Sequence, residues 1–135
     1  MKLSRYPETL AVVKLPPGAE VPQWAESSSI FSITATASET SIVCAARSVP
    51  RKSQHRRPFT AFEVEGPLDF ALTGILSRLL QPLADSEISV FTLSTFDTDW
   101  ILVPGHDADR AEEEWRRSGH TVEPAVPVTR GKSKK

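Results

Sequence analysis

Within residues 75–103 the spacing of apolar residues switches from helical to alternating, and that switch limits the folds open to the chain. Ile75, Leu76, Leu79, Leu80 and Leu83 recur at i, i+3/i+4, while Ser77, Arg78, Gln81 and Asp85 fall off the stripe, which predicts a helix with one face on a core. From Ile88 the period becomes two. Ile88, Val90, Thr92 and Ser94 alternate with Ser89, Phe91, Leu93 and Thr95 as in a strand. A turn at residues 96–98 then leads to the apolar run Trp100 to Val103, halted by Pro104 and Gly105 and expected to return antiparallel.

The ends of these elements carry their own signals. Thr73 is placed to cap the helix, and Gly74 after it leaves room where the first helical N–H groups would meet an anion. Pro82 should kink or break the helix, because it removes one hydrogen bond and crowds the preceding turn. Asp107 can cap a last helix whose Ala108, Ala111 and Trp115 share a face, with Gly119 as a left-handed terminator. With Thr60–Glu65 as opening strand and His120–Glu123 as closing strand, residues 60–123 read strand, helix, strand, strand, helix, strand, the order of a ferredoxin-like α+β sandwich.

The first half reads as strands at Leu10–Val13, Ile30–Thr34 and Ser41–Ala46, with a stop at Pro16, Pro17 and Gly18 and a short helical turn at Val21–Ala25. Residues 1–59 are too few to stand alone, and their strands are expected to extend the sheet of the second unit or pack on it. Arg47, Arg51, Lys52, His55, Arg56 and Arg57, with two prolines and no periodicity, read as a solvated basic loop over residues 47–58. Residues 124–135 read as a disordered basic tail.

The helix start Gly74, Ile75, Leu76, the turn Leu83 to Ser89 and the turn Ser94 to Asp99 together resemble the ACT domain, and within it the CASTOR-like branch. Residues 31–44 also resemble the first half of that branch, so the resemblance spans roughly residues 8–123. It implies a tandem of ACT-like units with antiparallel sheets and helices packed on one face: a degenerate N-terminal half (1–59), then an ACT domain (60–123). It also implies an amino-acid-binding regulatory protein rather than an enzyme. Asp69, Phe70 and Leu72 align with the loop that covers the ligand in that branch. Thr73, Gly74 and Ile75 would supply N–H donors, and Thr95, Phe96 and Asp99 an acceptor carboxylate and an apolar wall. Sites of this family usually lie between two modules, so a homodimer is expected, with a regulated protein as a further partner.

Other chemistries find little support. A formal charge of −1 gives no bulk attraction to nucleic acid or membrane. No apolar run approaches a bilayer span and no signal-peptide core is present, which makes the cytoplasm the default. Cys44, the single cysteine, sits in an apolar run and reads as a small buried hydrophobe. His55, His106 and His120 lack partners at metal-ligand spacing, so neither a metal nor another cofactor is expected. Asp97 and Asp99 keep one enzymatic alternative open, an acid/base pair acting on an amino-acid-derived substrate. An interaction module with an empty pocket is the other alternative.

Overall fold

The computed structural model describes residues 1–125 except 67 and 70–72. The expected tail beyond residue 125 lies outside the described residues. The chain divides into two compact units, one made of Met1–Pro7 with the residues from Thr60 onward, the other of Glu8–Phe59. Its elements are β1 (Lys2–Arg5), β2 (Leu10–Leu15), β3 (Ser32–Ala35), β4 (Thr40–Ala45), β5 (His55–Val64), α1 (Ile75–Asp85), β6 (Phe91–Ser94), β7 (Asp99–Pro104), α2 (Ala108–Arg117) and β8 (Thr121–Pro124).

In the C-terminal unit the strands are ordered β6-β7-β5-β1-β8. The sequence from β5 to β8 is the expected strand, helix, strand, strand, helix, strand. Between its first and last strands lies β1, antiparallel to β5 with Leu3 opposite Val64, and parallel to β8 with Leu3 opposite Val122. Pleat alternation puts Leu3, Phe62, Val64, Ile101, Val103 and Val122 on one face. There they form a single core with Ile75, Leu79 and Leu83 of α1 and Ala108, Ala111 and Trp115 of α2. Both helices therefore cover the same side of the sheet. Burying each large aliphatic side chain contributes about 1.5–3 kcal/mol, which is why the stripe on α1 outweighs its proline.

That proline does not end the helix. α1 runs through Pro82 to Asp85, with Leu83 fully buried behind it. The turn is held from outside by the Trp115 indole, whose Nε1 donates to the Leu79 carbonyl oxygen at 2.8 Å, while the ring packs edge-on to Phe62 at 4.9 Å between centroids.

The strand expected from Ile88 begins only at Phe91. Ile88 is used to close α1 instead: its N–H donates to the Leu83 carbonyl oxygen at 2.9 Å, that of Glu87 donates to Ala84 at 3.0 Å, and Ile88 is buried in the core. This is a Schellman closure with Glu87 in the left-handed position, at φ 60°. α2 closes the same way with Gly119, whose N–H reaches Arg116 while that of His120 reaches Trp115. At the other end of α2, Asp107 stands at the N-cap but makes no side-chain capping bond; its carboxylate pairs with Arg110 at 2.7 Å.

In the N-terminal unit the strands are ordered β3-β4-β2-β5, all antiparallel, with His55–Phe59 of β5 as the last member. This is the strand order of the C-terminal unit without its β1. The helix positions hold only single 3-10 turns, Gln23–Ala25 and Ala46–Ser48. The segment before the first turn contains Pro16, Pro17, Gly18 and Pro22, which rule out a regular helix there. A small core of Ala11, Val13, Ala25, Ile42, Cys44, Ala46 and Val49 is covered by Leu15, Trp24 and Phe31. Burial, helped by the charge of Glu8, pushes the Cys44 thiol up to about 11, which keeps it protonated and inert.

The basic stretch is not a loop throughout. It turns at Pro50–Ser53, where the Ser53 N–H donates to the Pro50 carbonyl oxygen, and is already strand at His55 and Arg56, which lie opposite Val13 and Val12. Backbone pairing with β2 decides its conformation. Side chains that are polar on both faces give no period to read.

Candidate functional site

The candidate site lies in the C-terminal unit, between the start of α1 and the hairpin of β6 and β7. A cleft of about 300 Å³ is lined there by Leu68, Asp69, Gly74, Ile75, Leu76 and the turn Ser94 to Asp99.

The helix side of the cleft is backbone. Gly74, not Thr73, is the N-cap of α1, and it adopts a left-handed conformation at φ 79° with no side-chain cap. Thr73 cannot cap because the left-handed step after it turns the chain into the helix one residue later. The first bond of the helix runs from the Arg78 N–H to the Gly74 carbonyl oxygen at 3.0 Å. The N–H groups of Ile75, Leu76 and Ser77 consequently have no partner within the helix, and its dipole adds positive character at this end.

The hairpin side is acidic and hydroxylated. Ser94 and Asp99 are cross-strand partners, and the Ser94 hydroxyl donates to Asp99 Oδ1 at 2.6 Å, which orients the carboxylate. The tip is a compact turn: the Thr95 N–H donates to the Thr98 carbonyl oxygen at 2.8 Å, and the Thr98 N–H to Thr95 Oγ1 at 3.3 Å. Phe96 at its apex is fully exposed.

Two bonds tie this tip to the end of β5. The Leu68 N–H donates to the Asp97 carbonyl oxygen at 2.7 Å, and the buried Thr98 hydroxyl donates to the Val64 carbonyl oxygen. Gly66 lies between them, and a Cβ there would stand 3.1 Å from the Asp97 carbonyl oxygen and 3.2 Å from Thr98 Cβ. The acidic wall is thus seated against the strand that leads to α1.

Of the site residues expected from sequence, the cleft brings together Asp69, Gly74, Ile75, Thr95, Phe96 and Asp99. Thr73 is exposed beside it and is not part of the lining. Phe70 and Leu72 lie outside the described residues. The cleft adds Leu68, Leu76, Ser94 and Thr98, and it places Asp97, weighed above only as an acid/base group, in the same wall. Leu76 belongs to the stripe of α1 and reads from sequence as a core residue. Ser94 could have been found from its register with Asp99; Leu68, whose N–H is held by the Asp97 carbonyl oxygen, has no sequence signal. No Lys, Arg or His is among the described lining residues.

Residues 54–113 match the sequence profile of the ACT domain. The chain carries an ACT domain. A second profile, of an N-terminal domain, matches residues 8–52. Among solved structures, an Agobacterium tumefaciens protein is similar with a TM-score of 0.84 and 29% identity, over 94% of this chain and 96% of that one. The aspartate kinase of Clostridium acetobutylicum is similar with a TM-score of 0.65 and 10% identity, over 86% of this chain and 34% of the kinase. The regulatory subunit of aspartate kinase from Thermus flavus gives 0.61 and 7%, over 88% and 97%. At such identities the kinase likenesses speak for the fold alone. No curated protein matches the sequence. Among the described residues no helix is long and apolar enough to cross a membrane, and no three His, Cys, Asp or Glu side chains group as a metal site would need.

Proposed function

We propose that this ACT-domain protein is a cytoplasmic regulatory sensor of the CASTOR-like branch, and that the cleft binds a free amino acid. The observation that carries the reading is the opposition, across one cleft, of a helix N-terminus whose first N–H groups have no partner within the helix and a wall of carboxylates. A free amino acid has the complementary pair of charges. Its carboxylate would take the N–H groups of Ile75, Leu76 and Ser77, its ammonium would face Asp99 with Asp97 and Asp69 nearby, and Leu68, Leu76 and Phe96 would enclose the side chain. The match of residues 54–113 to the ACT domain supports a regulatory role, and the aspartate kinase neighbours, one named as an allosteric enzyme and one as a regulatory subunit, share its fold.

In this reading the site is completed by a second copy of the chain, because the cleft is open and Phe96 on its rim is bare to solvent. Occupancy would favour one packing of the two copies over another by the difference in affinity between them, which is sufficient for a signal to a partner protein. Light scattering at micromolar concentration, with and without amino acids, tests the dimer; a monomer under both conditions rejects it.

The ligand is tested by thermal shift against the twenty amino acids at millimolar concentration, beginning with arginine. A selective rise in Tm is expected, since a ligand that binds the native state stabilises it by mass action. Asp99→Asn should lower the affinity for that amino acid. An Asp99→Asn chain that keeps affinity and loses turnover of an amino-acid-derived substrate would replace the sensor with an enzyme.

A further inference from the structure

The cations of the two units are treated differently by the fold. In the C-terminal unit Lys2, Arg5, Arg110, Arg116 and Arg117 all stand within ion-pair distance of carboxylates, with Arg78 the exception among the described residues. In the N-terminal unit Arg47 alone does so among the described residues, against Glu8 at 2.9 Å. Arg57 is spent on backbone: its Nη1 donates to the carbonyl oxygens of Ala46 and Val49, at 2.8 and 3.3 Å. Lys14, Arg51, Lys52 and Arg56 are exposed and have no ion pair among the described residues.

Those four cations are gathered at one end of the sheet. Lys14 lies opposite Ser41, and Ser41 opposite Thr34, so Thr34, Ser41 and Lys14 form a row across three adjacent strands at the ordinary inter-strand spacing of about 4.8 Å. Val13 and Ile42 point into the core, which puts this row on the opposite face. Arg56, opposite Val12, shares the face and is the diagonal neighbour of Lys14. The backbone that carries the rest is fixed, since the Lys14 N–H donates to the Gln54 carbonyl oxygen at 2.9 Å. Just before it, Arg51 and Lys52 occupy the centre of the turn closed by Ser53 and Pro50. Two hydroxyls and four cations therefore lie together in a strip at this end of the sheet, and none of the four cations stands in an ion pair among the described residues.

We propose that this strip is a docking surface for an acidic, extended segment of a partner protein. In an extended segment, alternate carboxylates on one face recur at about 6.6 Å, close enough to the strip's spacing for Lys14 and Arg56 to take successive acids while Thr34 and Ser41 donate hydrogen bonds. A nucleic acid fits less well. The strip holds no aromatic ring on which a base could stack and no helix to enter a groove, and a chain with formal charge −1 gives a long polyanion little attraction beyond it.

The test is fluorescence anisotropy of the full chain with a labelled octaglutamate peptide. Saturable binding that weakens as salt is added is expected. Lys14→Glu/Arg56→Glu should lower the affinity roughly tenfold or more, whereas Lys132→Glu/Lys134→Glu, an equal change of formal charge, should leave it within about twofold. Lys14→Gln/Arg56→Gln, with the fold checked by circular dichroism, repeats the test without introducing acids and should also weaken binding. Equal loss in the strip and tail variants, tighter binding of duplex DNA than of the peptide, or no binding at low salt would each overturn the proposal.

Discussion

The hydroxyl of Thr98 donates to the carbonyl oxygen of Val64, joining the acidic hairpin of the cleft to the last residue of β5. The bond is buried, so neither partner can turn to water in its place. Thr98→Val keeps the shape of the side chain and removes the donor, leaving the Val64 oxygen without it. A loss of about 1–3 kcal/mol in stability is expected by urea denaturation, together with weaker binding of any ligand that uses Asp99. Thr98→Ser retains the donor and should recover most of both.

Glu87 holds the left-handed position that ends α1, a conformation that costs a residue with a Cβ roughly 1–2 kcal/mol. Glycine relieves that strain, though the greater freedom of its unfolded chain returns about 0.4–1 kcal/mol. Glu87→Gly should therefore stabilise the protein by up to about 1 kcal/mol, seen as a modest rise in Tm. Glu87→Ala keeps the Cβ and should gain nothing of this kind, so equal shifts in the two variants would reject the strain argument.

Among the described residues Trp115 is the largest fully buried side chain, and it also donates to Leu79 in the helix that runs through Pro82. Trp115→Phe removes part of the ring and the donor together. About 2 kcal/mol of destabilisation is expected from lost burial and the lost hydrogen bond. Hydrogen exchange should show the larger loss of protection in the turn around Leu79 and Pro82, where the indole acts, rather than evenly along α1.

What the sequence made legible follows from where side chains, rather than backbone, decide the structure. The stripes of α1 and α2 and the apolar run of β7 were visible because packing selects them, and the corresponding residues fill one core. Strand β1 was not visible. Lys2, Ser4 and Arg5 surround a single core residue, Leu3, and only its neighbours β5 and β8 make that segment a strand. The same holds for His55 and Arg56, which become strand through β2. In the cleft, residues with a chemical signature such as Asp99 and Phe96 could be named from sequence. Leu68 and Thr98 could not, because one contributes an amide and the other a bond to a carbonyl oxygen distant in sequence.

Acid should loosen the N-terminal unit at Glu8. Burial alone would raise the pKa of this carboxyl, but hydrogen bonds from the Ser29 hydroxyl and N–H and from Arg47, with the charge of that guanidinium, bring it below its ordinary value of 4.5. The folded state therefore holds the ionised form more strongly than the unfolded state does. Its contribution is complete above the unfolded value and is lost as pH falls through the lower folded one. Stability measured from pH 7 downward should decline more steeply below about 4.5 in the native chain than in Glu8→Gln. Parallel curves would remove Glu8 as the cause.

Gly66 has a different reason for being glycine than a need for unusual backbone angles. A methyl group there would stand 3.1 Å from both the Asp97 carbonyl oxygen and the Leu68 nitrogen, the two atoms that bond to each other across the hairpin tip. Because both are backbone, relief requires the tip to move away from β5, and Asp99 and Phe96 move with it. Gly66→Ala is expected to weaken amino-acid binding more than its stability loss of about 1–3 kcal/mol accounts for, when Kd and urea midpoints are compared at a temperature where the variant is fully folded. Unchanged affinity in a folded Gly66→Ala chain would mean that the seat of the hairpin does not set the geometry of the cleft.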